Sequence, residues 1–505
     1  CDDANMSDVD ACTNACKKFA CGDGIIQAPE VCDDGNPIDT DACAACQPAV
    51  CGDGFVHAGV EQCDDANGTN TDDCLNACKL AKCGDGVVWS GHETCDDGNQ
   101  QNGDTCQVNC LPSIVAVELC AGGTHTCLRA DSGLVRCWGD DSKGALGYGP
   151  AAEDIGDDEY PDSAGYVSLS GKATALAAGE NHTCALLEGG GVQCWGQGPY
   201  GRLGYGNNEN VGDDELPSSV GLVSVGGVAV GLAAGDYHTC AVLVGGGVRC
   251  WGEGDYGRLG YASIQDIGDN ELPSSKGLVS LGGNAVQLAA GGKHTCALLE
   301  GGGVRCWGYG SKGALGYGDT FDIGDTEVPS KKGPVVLSGT ATRITAGADH
   351  SCALLQSGDV QCWGQATLGQ LGYGNTTTIG DNESPSAAGV VSLTAKALDV
   401  RAGGNTTCAL LVGGSVQCWG SGSRGQLGSG NQQNIGDNEV PSSKQPVALG
   451  GPAQSVRVGG GHVCALQDLG QSRCWGWALH GQLGYGNTQN IGDDELPNFV
   501  GFVPY

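Results

Sequence analysis

A chain of 505 residues with a formal charge of −35 repels nucleic acid and anionic membrane surfaces, and its charged fraction of 16% holds no Lys/Arg cluster to overcome that. Gly 91 and Cys 30 are far above ordinary usage while Met 1 and Phe 5 are scarce, so tight turns and covalent staples stand in for a large aromatic core. Regularly spaced cysteines without zinc-type pairs and matching histidines imply disulfides, hence an extracellular or cell-surface place, and no apolar run is long enough to cross a bilayer.

Residues 1–112 form an acidic, cysteine-rich arm. CGDGIIQAPEVCDDGN, CGDGFVHAGVEQCDDAN and CGDGVVWSGHETCDDGN each lead into a later cysteine pair, giving three full copies after a truncated one. Counted from the CDD cysteine instead, the arm divides into four quartets: Cys1, Cys12, Cys16 and Cys21; Cys32, Cys43, Cys46 and Cys51; Cys63, Cys74, Cys78 and Cys83; and Cys95, Cys106, Cys110 and Cys120. In that counting Cys120, which has no partner in its own blade, pairs with Cys110 or Cys106 and staples the arm to the domain that follows. Pairs bridging CGDG to CDD, such as Cys21 with Cys32, are the alternative, because connectivity does not follow from spacing.

Each CDD cysteine is followed by oxygen-bearing residues at fixed offsets. These are Asp2, Asp3, Asn5, Asp8 and Asp10; Asp33, Asp34, Asn36, Asp39 and Asp41; Asp64, Asp65, Asn67, Asn70 and Asp72; and Asp96, Asp97, Asn99, Asn102 and Asp104. Short loops that converge hard oxygens suit Ca²⁺, so calcium is the expected cofactor; the plainer reading is side-chain-capped turns. The arm motif resembles the myxobacterial-type cysteine-rich repeat of bacterial surface proteins.

Residues 113–505 repeat every 56 or 57 residues, and each copy holds two cysteines ten apart: Cys127 and Cys137, Cys184 and Cys194, Cys240 and Cys250, Cys296 and Cys306, Cys352 and Cys362, Cys408 and Cys418, and Cys464 and Cys474. An apolar run, a glycine cluster and a second apolar run make a β-hairpin whose two cysteines face each other, so one disulfide per blade is expected, with further short strands behind. Seven such copies predict an all-β, seven-bladed propeller in which the two chain ends together close the ring. The repeat, as in HTCALLEGGGVQCWGQGPYGRLGYG, resembles that of the regulator of chromosome condensation family. That resemblance implies a seven-bladed propeller and a range of roles, from nucleotide exchange factors to secreted bacterial propellers that inhibit β-lactamases.

No nucleophile elbow, phosphate loop or zincin helix is present, so an enzyme is not expected. His125, His182, His238, His294, His350 and His462 recur at one position, with Thr406 replacing the sixth-copy member, and with the CWG tryptophans they read as packing between blades. An acidic loop, DIGDDEYP to NIGDDELP, offers pairs such as Asp157 with Glu159 and Asp493 with Glu495, for a cation or for turn capping. Residues that break the repeat gather in the last copy: Trp477, His480, Phe499, Phe502 and Tyr505, read as sealing the ring or making an interface. The function expected is an extracellular structural or adhesive protein, self-assembling head to tail into a fibre with a calcium-stiffened arm. A secreted, inhibitor-like module that binds a protein comes second, and a propeller enzyme acting on polysaccharide third. The expected partner is another copy of the chain, an extracellular protein or a glycan.

Overall fold

The structure, a computed structural model, describes residues 21–26, 30–89, 96, 98, 115–150 and 153–505. It divides into two compact units, Cys1–Ser113 and Ile114–Tyr505.

In the first unit the disulfides nest. Cys21 bonds Cys46 around Cys32–Cys43, and Cys51 bonds Cys78 around Cys63–Cys74. The two described repeats therefore each begin at the CGDG cysteine, which corrects the quartets counted from CDD there and rules out the Cys21–Cys32 alternative. One carboxylate explains the register. Asp33 accepts the backbone N–H groups of Gly22, Asp23, Gly24 and Gly35 at 2.7–3.1 Å, binding the CGDG turn to the CDD turn. Asp64 does the same for Gly52, Asp53, Gly54 and Ala66, and Asp96 for Gly84, Asp85, Gly86 and Gly98. The turn needs glycine at its first position: Gly22 has φ +88°, and a Cβ there would lie 2.3 Å from the Asn36 carbonyl oxygen.

The second unit contains seven three-stranded antiparallel sheets, each consecutive in sequence. Blade 1 is Ala116–Ala121, His125–Ala130 and Val135–Gly139; blade 7 is Ala453–Val458, His462–Gln467 and Ser472–Gly476. The second and third strands pair in one register in every blade, so that the two cysteines are direct neighbours with Cα atoms 4.0–4.1 Å apart. Each such pair is disulfide-bonded. Cys127 bonds Cys137, Cys184 bonds Cys194, Cys240 bonds Cys250, Cys296 bonds Cys306, Cys352 bonds Cys362, Cys408 bonds Cys418 and Cys464 bonds Cys474. The further strand expected behind each hairpin is reduced to an extended segment held by one hydrogen bond, such as Val167 N–H to Val135 O at 2.8 Å.

Adjacent blades are locked by a repeated triad. In blade 2 the Thr183 hydroxyl donates to Ala145 O in the preceding turn, at 3.2 Å, and Trp195 Nε1–H donates to the same oxygen at 2.9 Å. With its proton spent there, Thr183 accepts from His125 Nε2–H of blade 1 at 2.8 Å. The same histidine-to-hydroxyl link joins His182 to Thr239, His238 to Thr295, His294 to Ser351 and His350 to Thr407. All seven CWG tryptophans are fully buried. The LGYG glycine makes room for them: a Cβ on Gly204, at φ +83°, would sit 2.8 Å from Trp251 Nε1.

The ring closes without a shared blade. The C-terminal segment completes blade 7, with Val503 N–H on Ser472 O at 3.0 Å, and the first blade is complete in itself, which corrects the expectation that each terminus holds part of one closing blade. Closure instead runs through His462 and Thr126, through Gly460 N–H to Gly122 O at 2.9 Å, and through Tyr505 stacked on Trp138 with centroids 6.1 Å apart. The first strands of all blades line a central channel.

Candidate functional site

The blade cysteines are staples and not part of a reactive site. Cys137, Cys194, Cys250, Cys306, Cys362, Cys418 and Cys474 on the third strands, like their partners on the second, are buried in the blade cores with both sulfurs committed to the bond.

Cys120 is the residue expected to staple the arm to the propeller. Its thiol is free and only 5% exposed in the channel wall, directly across the ladder from Cys127, which is already bonded to Cys137. Burial, then the Glu118 charge, pushes the thiol up to about 12, so it is neutral and inert. Its expected partners Cys110 and Cys106 lie outside the described residues, as do Asp2, Asp3, Asn5, Asp8, Asp10, Asp97, Asn99, Asn102 and Asp104.

The described calcium candidates do not build an oxygen cage. Asp33, Asp64 and Asp96 each spend their oxygens on four backbone N–H groups; burial raises their pKa, but those four donors outweigh it and hold each carboxyl below the usual range. Asn36 turns its amide Nδ2 to Asp41 Oδ2 at 2.9 Å and accepts Ile38 N–H, while Asp39 accepts Ala45 N–H. Asn67 pairs with Asp72 at 3.0 Å, and Asn70 accepts Asn76 N–H. Asp34 and Asp65 likewise accept the N–H two residues ahead. These are Asx turns sewn by their own side chains, a donor set that fits backbone amides rather than six to eight converging cation ligands.

The acidic loops of the propeller have a similar internal use. Glu159 accepts Gly156 N–H at 3.1 Å and Glu495 accepts Gly492 N–H at 3.3 Å. Burial, then hydrogen bonding to Asp158, raises Glu159 to about 7. Of the last-copy aromatics, Phe502 lies 4.3 Å beneath the Arg473 guanidinium and Tyr505 seals the ring, while Trp477 carries Arg424 at 3.9 Å from its ring and His480 Nδ1 meets Asp154 at 3.1 Å. Phe499 is exposed.

The most developed surface lies in blades 2 to 4. There the long loop after the third strand reads PYGRLG and DYGRLG, where other copies have SKGALG, TLGQLG, SRGQLG or LHGQLG. Tyr200 (φ +65°) and Tyr256 (φ +60°) sit in the left-handed region, which costs a tyrosine about 1 kcal/mol or more and persists only where surroundings impose it. Both rings stand exposed over a fully buried arginine two positions on. Arg202 is pinned by Pro199 O at 3.0 Å and Gln197 Oε1 at 3.1 Å and lies 4.8 Å from the Tyr237 ring; Arg258 pairs with Glu253 at 2.5 Å. Tyr237 meets Tyr200 edge-on at 6.2 Å, and Tyr309 meets Tyr256 at 4.7 Å with Lys293 over both of the latter rings. Two carboxylates complete the patch at the channel mouth: burial, then Glu180, raises Asp236 to about 7, and burial raises Glu180. Repeat-level reading overlooked these residues, although the departure of copies two and three from the consensus was the available signal.

Comparison with known proteins places this geometry. Residues 173–501 match the RCC1-like domain, 116–145 match the regulator of chromosome condensation (RCC1) repeat, and 9–47 and 49–79 match a domain of unknown function, DUF4215. The ultraviolet-B receptor UVR8 of Arabidopsis thaliana is 32% identical over 341 residues, covering 67% of this chain and 71% of that protein. The E3 ubiquitin-protein ligase HERC2 of Homo sapiens is 30% identical over 320 residues, 62% of this chain but 6% of that protein. Yeast RCC1 (Prp20), solved with Kap60, superposes with a TM-score of 0.59 at 21% identity, over 76% of this chain and 85% of the other; human WBSCR16 gives 0.57 at 20%, over 73% and 94%. With the family match running across most of the ring and every blade built on the same strand order, the chain belongs to the RCC1-like domain family.

Proposed function

We propose that this protein is a non-catalytic, extracellular binding propeller whose partner is a protein engaged by the Tyr200–Tyr237–Tyr256–Tyr309 patch, which the buried Arg202 and Arg258 support from beneath. The observation that carries this reading is the pair of tyrosines held at positive φ over buried arginines in two adjacent blades and nowhere else among the described residues. Tyrosine is enriched in interface hot spots, and rings already fixed in place lose little entropy on binding. The net charge of −35, with Glu180 and Asp236 at the patch edge, favours a basic partner and speeds its encounter. Relatives support a binding role in general terms: one solved neighbour is bound to Kap60, and another was studied for binding to Gsp1p and histones.

A cell-surface or adhesive setting fits the disulfide content and the arm. A fibre of identical copies is the weaker form of that idea, because the patch occupies three blades and has no matching feature among the other described blades. Immobilised protein should capture an extracellular partner, and Tyr200→Ala combined with Tyr256→Ala should lose it while keeping the wild-type circular dichroism. Equal capture by wild type and variant would move the function away from this face. Sedimentation tests the fibre directly, since a monomer at high concentration argues against it.

A further inference from the structure

The channel wall is not symmetric. The fifth residues of the first strands line it, and the third residues lie two positions back on the same side of the strand. At the third position stand Glu118, Ala175, Gly231, Gln287, Arg343, Asp399 and Ser455; at the fifth stand Cys120, Ala177, Ala233, Ala289, Thr345, Arg401 and Arg457. Blades 2 to 4 thus contribute small or neutral residues, and blades 5 to 7 and 1 contribute the charges. The small side leaves a cavity of about 170 Å³, which Arg401 and Arg457 line together from adjacent blades.

The local charge runs against that of the whole protein. Asp399 is shared between Arg343 Nε at 2.9 Å and Arg401 Nε at 3.0 Å; Glu118 binds Arg129 Nε at 2.9 Å and stands 4.0 Å from Arg457. Four guanidinium groups face two carboxylates, a local surplus of two positive charges in a chain of −35. Arg401 and Arg457 each make one hydrogen bond to the protein, to Asp399 and to Val456 O, out of the five donors a guanidinium carries. Burial first, and the Arg457 charge second, pull Arg401 down to about 10, a penalty that a bound anion would relieve.

We infer that the channel holds a binding site for a small oxyanion, a phosphate- or carboxylate-type group clamped between Arg401 and Arg457, with Thr345 and Cys120 beside it. Guanidinium forks recognise such groups bidentately, and the partly buried setting strengthens the contact. The cavity suits one tetrahedral or planar anion and excludes a nucleotide. The same chemistry could come from a free anion or from a carboxylate side chain inserted by a partner.

The test is a titration of the full chain with inorganic phosphate, and separately with acetate, at constant ionic strength held with chloride, read by calorimetry and by thermal shift. Saturable binding with a rise in melting temperature is expected. Arg401→Gln combined with Arg457→Gln should weaken it at least tenfold, whereas Glu118→Gln, which removes a competing carboxylate, should tighten it several-fold. Binding of phosphate alone would identify a free dianion as the ligand, and binding of both anions would fit an inserted carboxylate as well. No saturable binding of either anion, or binding unchanged in the double-arginine variant, or Glu118→Gln weakening the site, would overturn the assignment. Because Glu118→Gln is predicted to gain affinity, a variant that merely damages the fold cannot imitate the result.

Discussion

His462 Nε2 lies 2.8 Å from Thr126 Oγ1, two residues 336 positions apart in the sequence, and Thr126 donates its own proton to Gln482 O at 2.9 Å. This link joins the last blade to the first by the chemistry that joins most other neighbours. The exception is instructive: blade 6 has Thr406 where the histidine should be, and blade 7 has Val463 where the hydroxyl should be, so donor and acceptor are missing from the same junction.

Thr126→Val should therefore strand the buried imidazole and lower stability by about 1–3 kcal/mol in urea unfolding. Thr406→His alone should destabilise for the same reason. Adding Val463→Thr to it should recover the loss, and a double variant no more stable than the worse single one would refute the pairing rule.

Burial lowers His462 to about 3 and His125 to about 4, so both rings are neutral in the fold. An unfolded histidine, at about 6.5, binds a proton that the folded one refuses, so the unfolded state carries more protons between those values and stability rises with pH across about 3 to 6.5. His462→Gln removes the titration. The stability gap between wild type and this variant should narrow as the pH falls from 7 to 4; a constant gap would mean the ring is not held neutral.

The blade disulfides join residues ten apart. Replacing both members of one pair, Cys296→Ala with Cys306→Ala, should cost up to about 3 kcal/mol by the chain-entropy argument, without change in the channel or patch. Urea unfolding with anion titration as a second readout checks both parts.

Tyr200 and Tyr256 store strain that glycine would relieve. Tyr200→Gly should leave stability unchanged or raise it by up to about 1 kcal/mol, while partner capture falls. A marked loss of stability would show instead that the rings hold the loop rather than wait for a partner.

In the arm, Asp64→Ala removes four hydrogen bonds that tie CGDG to CDD. Its disulfides should then reduce faster under mild thiol, and millimolar calcium or chelation should change neither wild type nor variant. Asp64 is held below its usual range, so its contribution is present above pH 3.8 and disappears as the pH drops through the lower folded value. Calcium-dependent protection of the Cys51–Cys78 bond would restore the cation reading.

Much of this protein was legible because its information is local. The ten-residue cysteine spacing fixes which residues face each other across a hairpin, and a hairpin register is set by its turn. The family resemblance, the all-β class and the packing role of the histidines follow from repetition, since a side chain repeated around a ring meets the same neighbour each time. The arm disulfides were not legible, because the nested pairing depends on a carboxylate reaching nine to twelve residues back to a turn.

What the sequence by itself determined is the repeat, its period and the pairing inside each blade. The tertiary structure alone decided which departures from the repeat matter. Cys120, Arg401 and Arg457 are scattered over more than three hundred positions and look like unrelated exceptions, yet ring closure sets them in consecutive blades around one cavity. Tyr200 and Tyr256 stand exposed in left-handed backbone conformations that no local pattern of the sequence announces. Long-range closure brings such residues together at a cost the local sequence cannot reveal, because loop entropy and contact energy are settled only when the whole ring forms.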